Sequence, residues 1–329
     1  MNNINRVWIS WETQRRSIEL AKNLNCKFYL FKRSGILRYP LNIINTLKVM
    51  CNVSTNIIFV QNPSMILATV ACMYKIISKK KLIVDRHSTF FLDDTKKYSI
   101  RSIIFRMLHK FTIKYADLTI VTNKYLANIV EKMDGKAFVL PDKLPEMKQT
   151  KNYYVDGEFN ILLISSFGED EPIEEVFKAM EKISVKNLKL YISGDYRKLP
   201  EALMINVPPS VVFTGYLEEE DYVNLLYSVD AIMVLTTADY CMLCGCYESV
   251  SACKPIITSN KSVLQEYFGG SIFVDNNSED IINGIYVLKD NYECYKQNVI
   301  KLRLILEDQW RCKYEELERM LKAFCKAKI

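Results

Sequence analysis

The stretch Leu235–Asn260, LTTADYCMLCGCYESVSACKPIITSN, decides the fold class of this chain. It starts at the end of a β-rich apolar run and passes through a polar loop and a glycine-containing turn into a helix. A strand that begins with a proline then follows. This order is typical of one unit of a parallel sheet covered by helices. The loop lies at a strand's carboxyl end, where backbone N–H groups and a helix N-terminus favour an anion.

The turn in this stretch contains candidate ligands for a nucleotide. The amides of Leu243, Cys244, Gly245 and Cys246 are expected to contact a diphosphate. Glu248 comes one helical turn after the glycine, and from there its carboxylate can accept hydrogen bonds from a ribose diol. An exposed helix residue is the alternative interpretation of Glu248. No second Cys/His pair at ligand spacing joins the cysteines of the stretch, so we expect no metal.

The same alternation of strands and helices extends outward in both directions. It predicts an α/β protein of two doubly wound, Rossmann-like domains that face each other across a cleft. The predicted boundaries are 1–150 for the first domain, 151–305 for the second, and 306–329 for a terminal helix. Asp308 is the expected N-cap of that helix. Its apolar stripe predicts that the helix packs back toward the first domain, with Trp310, Tyr314, Leu317, Leu321 and Phe324 in the stripe.

Composition and charge limit the possible functions. The chain has 329 residues, of which 49% are hydrophobic and 25% charged, as in a globular protein. Residues 1–150 hold 25 Lys and Arg against 10 Asp and Glu, whereas the rest hold 19 against 28. The basic half favours an anionic partner. Among such partners, we prefer an anionic membrane that the protein contacts peripherally. No nucleic-acid-binding motif is present. The first residues do not resemble a secretory signal, so we expect a cytoplasmic protein. Contact with an anionic membrane would place it at the membrane's inner face.

The segment CGCYESVSACKPIITS, residues 244–259, resembles the donor domain of retaining GT-B glycosyltransferases, especially glycosyltransferase family four. That family carries the motif E-x7-E, of which this segment matches the second half. The resemblance implies that Glu248 binds the ribose and that residues 243–246 bind the phosphates. It also implies retention of anomeric configuration, with neither a cofactor nor a divalent metal.

Further segments of the second half match the same family. SSFGEDEPIEEVFKAM, residues 165–180, is similar to the opening strand end and helix of the donor domain, which makes Ser166 and Phe167 donor-binding candidates. LYISGDY, residues 190–196, is similar to the next strand. Residues 211–237 are similar to the segment that carries the base pocket, with Tyr216 and Leu217 beside the base.

Two departures from the family pattern concern charge. Tyr240 stands where the first Glu of E-x7-E belongs, and Asp239 is the nearest acid, so Asp239 is the candidate catalytic substitute. The family often places an Arg and a Lys after the first strand of this domain, and here Gly168-Glu-Asp-Glu-Pro stands instead. Stabilisation of the leaving group is therefore expected from amides or from cations of the first domain.

The first half contributes candidates at predicted strand ends. His87 follows the strand KLIVD and is a candidate catalytic residue, with a structural histidine as the alternative. The candidates for acceptor or phosphate binding are Arg15, Arg16, Asn62 and Arg86. The apolar faces of 42–51 and 64–78 favour burial against the sheet over membrane contact.

We therefore expect a glycosyltransferase that moves a sugar from a nucleoside diphosphate sugar, preferably a UDP-sugar, to a glycan, polysaccharide or lipid-linked acceptor. Two other functions stay open. One is a hydrolysing sugar-nucleotide 2-epimerase on the same scaffold. The other is a non-catalytic relative that binds a nucleotide sugar or a protein.

Overall fold

The computed structural model describes residues 6–35, 37–62, 64–78, 80–87 and 100–326. The chain forms two compact units. The first holds Met1–Lys143 and Gln309–Ile329, and the second holds Leu144–Asp308. Residues 144–150, which the sequence assigned to the first domain, therefore belong to the second unit. Each unit contains one six-stranded sheet in its described residues, and the strand pairs are parallel. The predicted α/β class is confirmed.

The first unit alternates strands with helices from its first described residue. The elements are β1 (Arg6–Ser10), α1 (Arg15–Asn23), β2 (Lys27–Leu30), α2 (Arg38–Asn52), β3 (Ile57–Asn62), α3 (Met65–Ser78), β4 (Lys81–Arg86), α4 (Ile100–Tyr115), β5 (Leu118–Val121), α5 (Lys124–Lys132) and β6 (Ala137–Val139). The sheet order is β2-β1-β3-β4-β5-β6, so the order reverses between β1 and β3. Helix α5 begins after its N-cap Asn123, whose side chain accepts a hydrogen bond from the Leu126 amide.

Both faces of the first sheet are buried because its strands alternate between two cores. Val7, Val60 and Val84 point to the side that α2, α3 and α4 cover. Trp8 and Phe59 point to the other side, against α1 and the C-terminal helix. Their rings stack with centroids 5.2 Å apart. Continuous apolar strands of this kind are what a sheet with two covered faces requires.

The second unit repeats the architecture with a different strand order. Its elements are β7 (Phe159–Ile164), α6 (Ile173–Lys182), β8 (Leu188–Ser193), α7 (Glu201–Ile205), β9 (Val211–Gly215), α8 (Glu219–Ser228), β10 (Ala231–Val234), α9 (Cys244–Ser251), β11 (Ile256–Ser259), α10 (Ser262–Tyr267), β12 (Ile272–Val274), α11 (Ser278–Asp290) and the start of α12 (Tyr292–Lys326). The order β12-β11-β10-β7-β8-β9 is that of a Rossmann sheet.

The terminal helix differs from its prediction. It begins at Tyr292, so Asp308 lies inside a helix of 35 residues and is no N-cap. The residues before Asp308 are also amphipathic, and Val299, Leu302 and Leu306 are buried in the second unit. The later turns bury Leu317 and Leu321 in the first unit, as the apolar stripe predicted.

The predicted burial of the helix faces in the first unit is only partly correct. Met50 of α2 and Leu67 of α3 lie in the core. However, both helices also present an outward apolar face, with Leu41, Ile44, Leu47, Met73, Ile76 and Ile77 exposed.

Candidate functional site

The strand order of the second sheet reverses between β7 and β10, which are neighbours at its centre. In open parallel sheets, ligands bind outside the carboxyl ends of the strands at such a point. Two connections leave the sheet there. One runs from Ser165 to Pro172 and leads into α6, and the other runs from Leu235 to Leu243 and leads into α9.

Gly245 lets α9 begin directly over these two strands. A Cβ at this position would lie 2.9 Å from Val234 Cγ2 and 3.0 Å from Ile164 Cδ1, and these residues end β10 and β7. With any side chain at this position, either these neighbours or the N-terminus of the helix must move. The first turn of α9 contains no acidic residue, and Leu243 makes no side-chain cap. The positive end of the helix dipole therefore lies where β7 and β10 end, which we call the strand switch, and no carboxylate of the helix's own first turn neutralises it.

Glu248 lies one turn into α9 and is half-buried. The hydroxyl of Tyr222, on α8, donates a hydrogen bond of 2.5 Å to its Oε2 atom. A half-buried carboxylate held from the side by a tyrosine has a defined orientation, as a ligand of a ribose diol needs. The sequence did not indicate Tyr222, because the two residues meet only when α8 and α9 fold together.

The turn after β7 is closed by an internal carboxylate. Glu171 accepts hydrogen bonds of 3.0 Å from the amides of Ser166 and Phe167. It also accepts hydrogen bonds from the hydroxyls of Ser165 and Ser166. Phe167 lies in the left-handed region, with a φ of 55°, within this turn. The two donor-binding candidates of this turn thus already contact an anion of their own chain.

Asp170 joins this turn to the loop after β10. Its Oδ2 atom accepts a hydrogen bond of 2.6 Å from the Thr236 hydroxyl, and its carbonyl accepts one of 2.6 Å from the Thr237 amide. The acidic stretch that stands where the family often has cations therefore has a structural role at the strand switch.

Two lysines supply positive charge at this edge of the sheet. Lys198, in a short 3-10 turn after β8, places its Nζ atom 2.8 Å from the carbonyl of Ser166. Lys261, directly after β11, pairs with Asp239 at 2.6 Å. The sequence missed both because they come from neighbouring strands rather than from the motif itself.

The other candidates of the second unit differ in exposure. The side chain of Asp239 is 79% exposed, whereas Tyr240 packs against the core. Tyr216 is 83% exposed, and Leu217 packs against the core. Asp239 and Tyr216 are therefore available to a ligand in this structure.

The five first-unit candidates follow or end the strands β1, β3 and β4. Arg16 is buried, and its guanidinium contacts Asp85 at 2.9 Å, Asp142 and the carbonyl of Leu140. This network favours a structural role for Arg16 over the predicted phosphate contact. Burial lowers the pKa of Arg16, but the two carboxylates raise it above its ordinary value. The exposed Arg15 pairs with Glu19 at 3.0 Å.

His87 and Arg86 are neighbours in sequence but contact different residues. His87 is half-buried, with its Nδ1 atom 3.2 Å from Asp85 Oδ2. Arg86 is buried, with its guanidinium 2.7 Å from His109 Nδ1 and 3.0 Å from the Thr112 hydroxyl. Burial lowers the pKa of Arg86 to about 10. Burial, helped by Arg86, lowers the pKa of His109 to about 3, so this imidazole is neutral in the folded protein.

Asn62 ends β3 and is buried. Its side-chain Nδ2 atom lacks a hydrogen-bond partner in the structure as described. An unpartnered buried amide is unusual and is compatible with the predicted ligand contact.

Residues 147–301 match the sequence profile of the family described as "Glycosyl transferases group 1". The matched region includes α9 and every connection at the strand switch. Residues 147–301 form a group 1 glycosyltransferase domain. The resemblance of residues 244–259 to this family is confirmed. No curated protein sequence matches the chain significantly.

Solved structures share the fold of this glycosyltransferase along nearly its whole length. Sucrose-phosphate synthase from Thermosynechococcus elongatus has a TM-score of 0.76 at 13% identity, and the match covers 98% of this chain and 100% of the synthase chain. A glycosyltransferase from Rickettsia africae has a TM-score of 0.73 at 13% identity, with coverage of 98% and 99%. Anabaena HepE, in complex with UDP and glucose, has a TM-score of 0.72 at 12% identity, with coverage of 96% and 91%. The predicted GT-B fold is confirmed.

The cysteines near α9 are not arranged around a metal. Cys246 is fully buried, and its thiol donates to the Thr258 hydroxyl at 3.6 Å. Burial raises the pKa of Cys246 to about 12. In the described parts of the glycosyltransferase, no three His, Cys, Asp or Glu side chains form a group that could hold a metal ion.

Proposed function

We propose that this glycosyltransferase takes a sugar from a UDP-sugar and transfers it to a glycan, polysaccharide or lipid-linked acceptor. One observation carries the proposal. Gly245 brings the uncapped N-terminus of α9 onto the strand switch, and Glu248 follows one turn later with its carboxylate held by Tyr222. These are the groups that a nucleoside diphosphate needs at its phosphates and at its ribose. HepE, which has the same fold, is known in complex with UDP-glucose, and this favours uridine as the base.

The diphosphate is expected at α9 rather than in the turn after β7. Glu171 already occupies the amides of Ser166 and Phe167, and its negative charge would repel a phosphate. The amides of Cys244 and Gly245, together with Lys198 and Lys261 at the same edge of the sheet, would stabilise the charge that develops on the leaving group. The third predicted amide, that of Cys246, already donates a hydrogen bond of 3.0 Å to the carbonyl of Leu243. Retention of configuration and independence of a cofactor or a divalent metal belong to the proposal because the family resemblance implies them.

The acceptor is expected to contact the first unit. Its excess of Lys and Arg suits a phosphorylated carrier lipid or an acidic glycan. His87, half-buried at a strand end, is the candidate to contact the acceptor hydroxyl or the donor sugar. A place on the inner face of a membrane, within the cytoplasm, would bring such an acceptor within reach.

Titration of UDP into the wild-type protein and into Glu248→Gln tests the donor site. Hydrogen bonds to a charged group contribute about 1.5–3 kcal/mol, so the variant should bind UDP roughly 10- to 150-fold more weakly. Glu307→Gln is the matched control, since Glu307 is an exposed residue paired with Arg303 on α12. Unchanged UDP affinity in Glu248→Gln would remove the assignment.

Turnover then separates the candidate functions. Incubation of UDP-sugars with glycan and lipid extracts should yield a glycosylated product whose anomeric proton coupling matches that of the donor. The reaction should continue in excess chelator. An epimerised sugar from donor alone would instead indicate an epimerase. Tight UDP binding without turnover on any acceptor would indicate a non-catalytic protein.

A further inference from the structure

Three neighbouring helices of the first unit present an apolar outer face. Helix α3 contacts both α2 and α4, and all three cover the same side of the sheet. Among the described residues, large aliphatic side chains are exposed on each of them at helical spacing. They are Leu41, Ile44 and Leu47 on α2, Met73, Ile76 and Ile77 on α3, and Ile100, Ile103, Ile104 and Met107 on α4. Ile77 is 84% exposed. A soluble monomer rarely keeps so many exposed aliphatic residues together.

The same helices are basic throughout. Their sequences contain seven Lys or Arg residues and no Asp or Glu. Arg38, Lys48, Arg106, Lys110 and Lys114 are exposed. The three helices therefore combine exposed apolar side chains with positive charge, and none of them contains an acidic residue, as is typical of interfacial helices.

We propose that the outer face of α2, α3 and α4 is a docking surface for an anionic lipid bilayer, with the aliphatic side chains among the acyl chains and the cations at the headgroups. Charge decides between the candidate occupants. A second copy of the chain would place one cationic face against another in a two-fold contact, which is repulsive. A nucleic acid would use the cations but not ten exposed aliphatic side chains. A bilayer with anionic headgroups satisfies both features.

The docking would be peripheral. Among the described residues, no helix is both long and apolar enough to cross a bilayer. Insertion of partial helix faces together with electrostatic attraction gives binding that depends on lipid composition and salt.

Vesicle sedimentation tests the proposal. The full chain should sediment with phosphatidylcholine vesicles that contain 30 mol% phosphatidylglycerol, should bind pure phosphatidylcholine at least about tenfold more weakly, and should be released by 0.5 M NaCl. Ile77→Glu and Met107→Glu should each lower binding about tenfold or more, because each replaces an inserted apolar side chain with an anion.

Ile205→Glu is the matched control. Ile205 is 81% exposed on α7 of the second unit, so the change is chemically the same but lies outside the face. Unchanged UDP affinity in all variants shows that they are folded and separates this proposal from the donor site. The proposal is overturned if the wild type does not bind anionic vesicles, or if Ile205→Glu lowers binding as much as Ile77→Glu. Concentration-dependent dimers that Ile77→Glu abolishes, without vesicle binding, would identify a second copy as the occupant.

A second inference concerns Asp85 and His87, at the carboxyl end of β4 in the same unit. Asp85 is fully buried, pairs with Arg16 at 2.9 Å, and places its Oδ2 atom 3.2 Å from His87 Nδ1. Arg16 is itself held by Asp142 and by the carbonyl of Leu140. The carboxylate of Asp85 therefore has a fixed place, and an ionised carboxylate can only accept a hydrogen bond.

We infer that Asp85 is a positioning residue, which holds His87 in the tautomer that carries its proton on Nδ1. The lone pair then lies on Nε2, where it can accept a hydrogen bond from a hydroxyl group such as those of a sugar. The inference adds to the proposed function the position of the proton on the His87 ring. It rests on the proposed function for the identification of the hydroxyl group as one of a sugar.

The two histidines allow a direct test. Arg86 donates to His109 Nδ1, so His109 must carry its proton on Nε2. Long-range 1H–15N spectra of the histidine-labelled full chain near pH 7.5 should show two opposite tautomers, and His109→Gln assigns the signals. In Asp85→Asn, the preference of His87 should shift toward the Nε2–H form that a free histidine side chain favours.

Asp142→Asn is the matched control, because it removes a partner of Arg16 that does not contact His87. It should leave the His87 tautomer unchanged. If Asp85→Asn does not fold, the wild-type spectrum still decides. An Nε2–H tautomer of His87 in the wild type overturns the inference, whether or not UDP binds, as does an unchanged tautomer in a folded Asp85→Asn.

Discussion

Gly245→Ala tests the geometry on which the donor site depends. The added Cβ would lie 2.9 Å and 3.2 Å from the two methyl groups of Val234 and 3.0 Å from Ile164 Cδ1. The end of Ile164 can rotate, but Val234 is buried and branched, so it or the start of α9 must move. Overfilling a buried site costs about 1–3 kcal/mol. Alanine gains up to about 1 kcal/mol over glycine in a helix interior, and less in a first turn.

The net loss of stability should therefore be about 1–2 kcal/mol. In a unit of this size, that lowers Tm by roughly 2–8 °C. The effect on the ligand should be larger, because displaced amides lose charge-assisted hydrogen bonds to a phosphate. We expect UDP affinity to fall about tenfold or more by calorimetric titration. Gly269→Ala is the control, since its nearest neighbour would be the Gln265 carbonyl at 3.8 Å.

A compensating change makes the test specific. Val234→Ala removes two of the three methyl groups nearest the added Cβ and leaves only the end of Ile164, which can rotate. It should therefore restore UDP binding in the Gly245→Ala background, with a coupling of about 0.5–3 kcal/mol. Two results would refute the reasoning. One is a Gly245→Ala variant that binds UDP as tightly as the wild type. The other is a double variant in which the two losses of affinity simply add.

Four further perturbations follow from single contacts. Tyr222→Phe should weaken UDP binding by roughly 2- to 12-fold, because it removes the hydrogen bond that orients Glu248; an unchanged Kd would show that this bond is not needed. Glu171→Gln should tighten UDP binding by roughly two- to fivefold in the same titration, since one nearby negative charge is removed; no change would place the diphosphate elsewhere. Leu317→Ala should lower the free energy of unfolding of the first unit by about 2–5 kcal/mol in urea, because Leu317 is fully buried. A loss as small as that of an exposed residue would contradict this packing. His109 has a folded pKa of about 3 against an ordinary 6.5, so an unfolded chain takes up its proton first; stability should fall as pH drops from 6.5 toward 3, and His109→Gln should flatten that slope.

The sequence determined the repeated architecture because it depends on local patterns. Apolar runs of strand length alternate with amphipathic helices in both halves, and this periodicity alone requires parallel sheets with covered faces. The position of the glycine turn before Glu248 could also be predicted, since a strand, a turn and a helix in succession place that turn at the edge of a sheet. The C-terminal stripe of Leu317 and Leu321 predicted its own burial. The predicted start of that helix was wrong, because the residues before Asp308 are also amphipathic and belong to the same helix.

Only the tertiary structure decided which groups meet at the site. Glu248 meets Tyr222 from another helix, Ser166 and Phe167 meet Glu171, and the cations Lys198 and Lys261 arrive from the ends of neighbouring strands. Arg16 is read from sequence as an available cation, yet folding encloses it between two carboxylates. The outward apolar face of α2, α3 and α4 could not be predicted from the sequence either. An apolar stripe shows that one side of a helix is apolar, but it does not show how much of that side the sheet covers. Periodicity is a property of one segment, whereas contact, charge pairing and exposure depend on which segments become neighbours in space.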